Sequence, residues 1–209
     1  MPGSRIGVLG GTFDPIHLGH LAAAQDAAAA LELARVLFVP NRIPPHKRGQ
    51  NVAPAADRVA MVELCMDGNE EFELSRVEVE RNGPSFTLDT MRVLRSRNPG
   101  AGLVFLTGSD SLAVLHTWHE PDQLVREFAL AILSRRLDAP LDWPEIERRF
   151  PGLRGRTPII DIPQLEISSE MLRQRVREGK PIRYYVPQAV EEYICMHELY
   201  LAGMEPEVR

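Results

Sequence analysis

The groups most able to do chemistry lie together near the N-terminus, in Gly10-Gly11-Thr12-Phe13-Asp14-Pro15-Ile16-His17-Leu18-Gly19-His20. Two glycines let a backbone turn tightly and come close to a ligand. Thr12 adds a hydroxyl. His17 and His20 are three apart, so on a helix they share one face. A helix that begins near Ile16–Leu18 offers its free N–H groups and its dipole to an anion. Both imidazoles then sit in the first turn, aimed at the same space. They can donate hydrogen bonds to phosphate oxygens, and protonation would add charge where negative charge develops. Histidines at this spacing can also ligate a metal, but no convincing third ligand is near. Taken singly, a Gly-Gly pair is only a turn and a histidine only a surface or core residue. Their joint occurrence between a strand and a helix is far more specific.

The flanking elements must hold this loop in place. Arg5–Gly10 reads as a buried strand, Leu18–Leu33 as an alanine- and leucine-rich helix, and Val36–Pro40 as a second buried strand. Strand, helix, strand is a βαβ unit with parallel strands and a right-handed crossover. The alternation goes on. Asn41–Pro54 is a polar loop, Ala55–Met66 a helix, Phe72–Ser75 a short strand and Thr87–Arg97 an amphipathic helix closed by Asn98-Pro99-Gly100. Leu103–Thr107, Ala129–Leu133 and Pro158–Ile162 read as strands, and Ser169–Arg177 and Gln188–His197 as closing helices. This pattern predicts an α/β fold: a single-domain, Rossmann-like open parallel sheet with helices on both faces. No linker divides the chain, so residues 1–209 are expected to form one domain, with 163–209 as its closing helical part. In such a sheet ligands bind beyond the carboxyl ends of the strands, near the reversal of strand order. The Gly10–His20 loop follows the first strand, which puts it there.

Five further positions along the chain carry suitable groups. Pro44 and Pro45 stiffen a loop and direct Lys47, a mobile point charge suited to a polyphosphate. Alone, this would pass for a solvated surface lysine. Thr87 opens a helix after Gly83-Pro84, and its N–H and hydroxyl can cap the helix or hold a small carboxylate. Gly108-Ser109-Asp110 follows the Leu103–Thr107 strand. Asp110 can accept from ribose hydroxyls, complement a helix dipole, or do both. Ser168 and Ser169 begin a helix bearing Arg173, a second phosphate cradle with a guanidinium one turn in. Trp118 can stack on a flat ring or simply pack.

Composition bounds the alternatives. The chain has 209 residues with 44% hydrophobic and 25% charged, ordinary for a globular protein, which excludes a disordered tail or a disulfide-knotted peptide. A net charge of -5 lacks the basic excess that nucleic-acid binding needs. Cys65 and Cys195 are isolated thiols, expected to be idle in a reducing compartment. No signal peptide or membrane-length apolar run is present, so a cytoplasmic protein with no membrane partner is expected.

The segment GGTFDPIHLGH resembles the nucleotide-binding signature of the nucleotidylyltransferase superfamily, with its paired-histidine HxGH motif. Pro44-Pro45-His46-Lys47, Ser85–Thr90, Gly108–Leu112 with Trp118, Ile167-Ser168-Ser169 and Tyr185-Val186-Pro187 resemble, in order, segments of the bacterial nicotinate-nucleotide adenylyltransferase family. The likeness runs from about residue 6 to residue 194. It implies adenylyl transfer from ATP to nicotinate mononucleotide, giving deamido-NAD and pyrophosphate, with magnesium carried on the ATP phosphates. It implies His17, His20, Lys47 and Arg173 as catalytic groups. Gly10, Gly11, Thr12, Phe13, His17, His20, Gly108, Asp110, Ser168, Ser169 and Arg173 are implied for ATP. Thr12, Lys47, Thr87, Asp110, Trp118 and His119 are implied for the nicotinate nucleotide. The family pattern usually has threonine where this chain has Glu170, which puts a phosphate contact at 170 in doubt. Alternatives are phosphopantetheine adenylyltransferase, a nicotinamide-preferring enzyme, and a non-catalytic nucleotide sensor. A homo-oligomer is left open.

Overall fold

A computed structural model describes residues 4–42, 52–135 and 140–201. Among the described residues there are six strands: β1 (Arg5–Gly11), β2 (Arg35–Pro40), β3 (Phe72–Leu74), β4 (Gly102–Gly108), β5 (Ala129–Arg135) and β6 (Ile159–Ile162). They form one parallel sheet in the order β3-β2-β1-β4-β5-β6. The helices are α1 (Leu18–Leu31), α2 (Ala55–Glu63), α3 (Thr87–Arg97), α4 (Ser109–Ala113), α5 (Pro121–Glu127), α6 (Trp143–Arg149), α7 (Ser169–Arg177) and α8 (Gln188–Met196). The predicted α/β class and Rossmann-like sheet are those observed.

Alternation along the strands builds two cores. Val36 and Phe38 of β2 face one side; Leu37 and Val39 face the other. The first side packs under α1, α2, α7 and α8, through Ala24, Ala27, Met61, Leu172 and Val190. The second packs under α3, α4, α5 and α6, through Leu88, Met91, Leu112, Leu124 and Ile146. Alanine dominates the buried face of α1, so that helix can lie close to the sheet. Burial on both faces explains why the strands read as continuous apolar runs.

Three helix ends differ from the sequence reading, the last being α8, which stops at Met196 rather than His197. The first helix stops at Leu31 rather than Leu33, because Glu32 adopts a left-handed conformation with φ 51°. The second stops at Glu63 rather than Met66, and a turn follows. Helices α4, α5 and α6 are too short to show a clear periodicity in sequence. Proline in the first turn marks the starts of α5 and α6.

Chain order reverses at β1, which lies between β2 and β4. The crevice beyond the carboxyl ends of β1 and β4 is therefore the expected ligand position. Among the described residues no helix is long and apolar enough to cross a membrane.

Candidate active site

The Gly10–His20 loop leaves β1 at this switch point; Gly10 is exposed, Phe13–His17 are buried, and the rest is half-buried. Phe13 adopts φ 49°, a region that costs an aromatic residue roughly 1 kcal/mol. A Cβ on Gly11 would lie 2.9 Å from the Phe13 ring, so the fold needs glycine there. Phe13 also packs edge-on against His20, with ring centroids 5.2 Å apart. Phe13 thus supports the site from behind and borders neither of the clefts described next.

His17 is the residue just before α1, and His20 lies in its first turn. Their rings stack at 3.7 Å with 26° between planes. The His17 N–H donates to Nδ1 of His20 at 3.3 Å. That bond leaves the His20 proton on Nε2, as a donor available to a ligand. A Cβ on Gly19 would lie 3.0 Å from His17 Nδ1, so glycine between the histidines makes room for the first ring. Burial lowers the His17 pKa to about 4. Burial, and then the neighbouring His17, lower that of His20 well below its usual value. Both rings are therefore neutral donors at pH 7 here, rather than the charged pair that protonation would give.

Two clefts meet at this loop. On the β2 side a cavity of about 280 Å³ is lined by Gly10, Gly11, Thr12, Thr87, Trp118 and His119, with Asn41, Glu78, Ser85 and Phe86. Thr87 starts α3, whose preceding residue, Phe86, gives no side-chain cap, so the first N–H groups of that helix remain free for an anion. Phe86 stacks on His119 at 4.1 Å, and Trp118 meets Phe105 edge-on at 5.9 Å. The floor holds Glu78, which is buried and accepts from the Thr90 hydroxyl at 2.6 Å. Burial raises the Glu78 pKa. This cavity can take a flat ring bearing a small anion.

On the β5 side a groove of about 480 Å³ is lined by His17, His20, Gly108, Asp110, Ser168 and Ser169. Ser168 caps α7 by accepting from the Met171 N–H at 3.1 Å. Ser169 donates its hydroxyl to the Pro15 carbonyl at 2.9 Å. Arg173 donates to the Asp14 carbonyl at 2.7 Å and lies 3.5 Å from the Asp14 carboxylate. Ser169 and Arg173 thus tie α7 to the first loop, 154 and 159 residues away. Lys47 lies outside the described residues.

A match to the Cytidylyltransferase-like family model spans residues 8–175. A chain from Thermomicrobium roseum, named "Probable nicotinate-nucleotide adenylyltransferase", is 46% identical over 197 residues, covering 94% of this chain and 92% of its own. One of the same name from Symbiobacterium thermophilum is 44% identical, covering 96% and 97%. The chain belongs to the nicotinate-nucleotide adenylyltransferase family. Its fold matches a solved Plasmodium falciparum nicotinic acid mononucleotide adenylyltransferase complexed with NaAD, with a TM-score of 0.77 at 22% identity, covering 94% of this chain and 97% of that one.

For this member of the nicotinate-nucleotide adenylyltransferase family, sequence reading missed several residues that shape the site. Asp14, Arg58 and Glu78 are buried charged side chains around it. Asp14 accepts from Tyr200 Oη at 2.8 Å, 186 residues away, and from the Ala53 N–H at 3.1 Å. Arg58 could have been suspected only as a charged residue on the apolar face of a helix. Nothing local foretells the Tyr200 contact.

Proposed function

We propose that the protein transfers the adenylyl group of ATP to nicotinate mononucleotide, giving deamido-NAD and pyrophosphate, a step in NAD biosynthesis. The observation that carries this reading is that two unlike clefts flank one loop: Gly10, Gly11 and Thr12 line the aromatic cavity, and His17 and His20 line the groove. The aromatic cavity would take the pyridine ring against Trp118, with its carboxylate at Thr87 and the backbone by His119. The groove would take ATP along Gly108, Asp110, Ser168 and Ser169.

A phosphate oxygen of the mononucleotide attacks the α-phosphorus of ATP. A new P–O bond forms, the bond to the β-phosphate oxygen breaks, and pyrophosphate leaves with its electron pair. The nucleophile is already ionised at neutral pH, so no strong general base is needed. The work is to align two repelling anions and stabilise charge at the α-phosphate. His20 donates through Nε2–H, and His17 lies stacked against it. Arg173 keeps further donors beyond the one spent on Asp14. Lys47 and Thr12 complete the proposed set. Gly10 and Gly11 let the chain approach the phosphates.

Magnesium fits this groove as an ion carried on the ATP phosphates, because a hard cation that keeps its waters needs few protein ligands. The exposed carboxylate of Asp110 is the residue that would meet its water shell. The ion would neutralise phosphate charge. Residues 1–209 would act as one domain in the cytoplasm, with 163–209 closing the nucleotide side.

The test is pyrophosphate release with ATP and magnesium, offering nicotinate mononucleotide, nicotinamide mononucleotide and phosphopantetheine separately. Strong preference for the acid is expected. Activity only with phosphopantetheine would reassign the acceptor. Tight ATP binding with no pyrophosphate from any acceptor would make the protein a sensor.

A further inference from the structure

Arg58, on the second turn of α2, is 1% exposed. Its guanidinium reaches no solvent, yet it is satisfied almost entirely by backbone. Nη1 donates to the Thr12 carbonyl and the Asn41 carbonyl, each at 2.8 Å. Nη2 donates to the Arg42 carbonyl at 3.1 Å, and Nε to the Ala53 carbonyl at 3.0 Å. The ladder between β1 and β2 ends with the Asn41 N–H donating to Gly11 at 3.0 Å. Past that bond the two strands are tied by the guanidinium instead. Thr12 and Asn41 both line the acceptor cavity, and the Asn41 side chain lies 3.5 Å from the Thr12 hydroxyl.

We propose that Arg58 is a positioning residue: its guanidinium continues the sheet past its last hydrogen bond and thereby sets where Thr12 and the histidine pair meet the reacting phosphates. Burying a guanidinium is costly, and an apolar side chain would serve the core as well or better. The cost is offset by hydrogen bonds that only a planar fork can make together. A lysine ammonium is a single point and cannot reach carbonyls on three separate stretches of backbone. Asp14 works from the other side. Its carboxylate takes the Ala53 N–H while Arg58 takes the Ala53 carbonyl, so one peptide segment is gripped from both ends.

The kinetic part of the test rests on the adenylyl-transfer reading, which the wild-type assay decides by itself; amide exchange tests the clamp without substrate. Arg58→Lys and Arg58→Met should fold. Their turnover should drop about 100-fold, the usual penalty for displacing aligned groups by about an ångström, with KM for both substrates within about three-fold. The Asn41 amide should exchange faster while the amides of β4 and β5 keep wild-type protection. Wild-type turnover in Arg58→Lys, or an Asn41 amide as protected as before, would overturn the proposal. So would loss of protection in β4 and β5 as large as at Asn41, or failure of both variants to fold, because Arg58 would then hold the fold and not the site.

Discussion

The two clefts flanking the end of β1 are built by opposite means. The acceptor cavity is small and walled by rings that pack on one another: Phe86 on His119, and Trp118 against Phe105. Its polar groups include the uncapped start of α3 together with Thr12, Asn41 and Glu78. The nucleotide groove is larger and wider, and is lined by short turns at the ends of β1, β4 and the start of α7. It holds the imidazoles of His17, which is buried, and of His20, which is half-buried. One side is shaped to choose a ring, the other to hold charge. On the proposed adenylyl-transfer reading this division separates recognition from chemistry, so mutations on the two sides should damage different kinetic constants.

The sharpest break of this comparison is His20→Ala. Removing a donor aimed at developing phosphate charge should lower kcat by ~10²–10³-fold, with only a few-fold change in KM for ATP. Equal turnover would place the chemistry elsewhere. The same pair predicts an acid sensitivity. In the unfolded chain a histidine titrates near pH 6.5, whereas burial holds His17 at about 4 when folded. The unfolded state then binds more protons between those values, so stability is full above about pH 6.5 and is lost as pH falls toward 4. His17 alone would account for a loss of roughly 3 kcal/mol. Thermal melts from pH 7.5 to 4.5 check this. His17→Asn should flatten the slope, and a bound non-hydrolysable ATP analogue should soften it by favouring the protonated rings. An unchanged slope in both experiments would contradict the burial argument.

On the acceptor side Trp118→Ala should raise KM for nicotinate mononucleotide about ten-fold, the worth of an aromatic stack plus its buried area, while leaving KM for ATP alone. Steady-state kinetics with each substrate varied separately would show this. A matching rise for ATP would mean that the two clefts do not work independently.

How much of this was legible beforehand depended on the range of each interaction. The strands announced themselves because both faces are buried, and Thr87 and Ser168 did so because helix starts have local rules. The histidine pair was legible as a spacing. Its neutral state was not, because desolvation depends on what packs over the rings. Arg58 and Tyr200 were invisible for a similar reason. Each is chosen by partners across the fold, such as the carbonyls of Thr12 and Asn41 or the carboxylate of Asp14. Arg173 was legible as a charge one turn into a helix, but its bond to the Asp14 carbonyl was not.

The smallest expected effect concerns Glu170, where the family resemblance implies threonine. Glu170 lies in the first turn of α7, exposed, and lines the nucleotide groove. There it does two opposed things. A carboxylate at a helix start stabilises the helix by about 0.3–1 kcal/mol through the dipole. The same charge faces the place where a triphosphate would lie and weakens its attraction. Glu170→Thr should therefore lower KM for ATP about two- to five-fold and lower the melting temperature slightly, with kcat unchanged. The gain should shrink at high salt, where exposed charges are screened. Since Ser168 caps the helix with its own oxygen, α7 should keep its start in the variant. An ATP KM identical to wild type at low salt would mean that the Glu170 carboxylate turns away from the groove and acts on the helix alone.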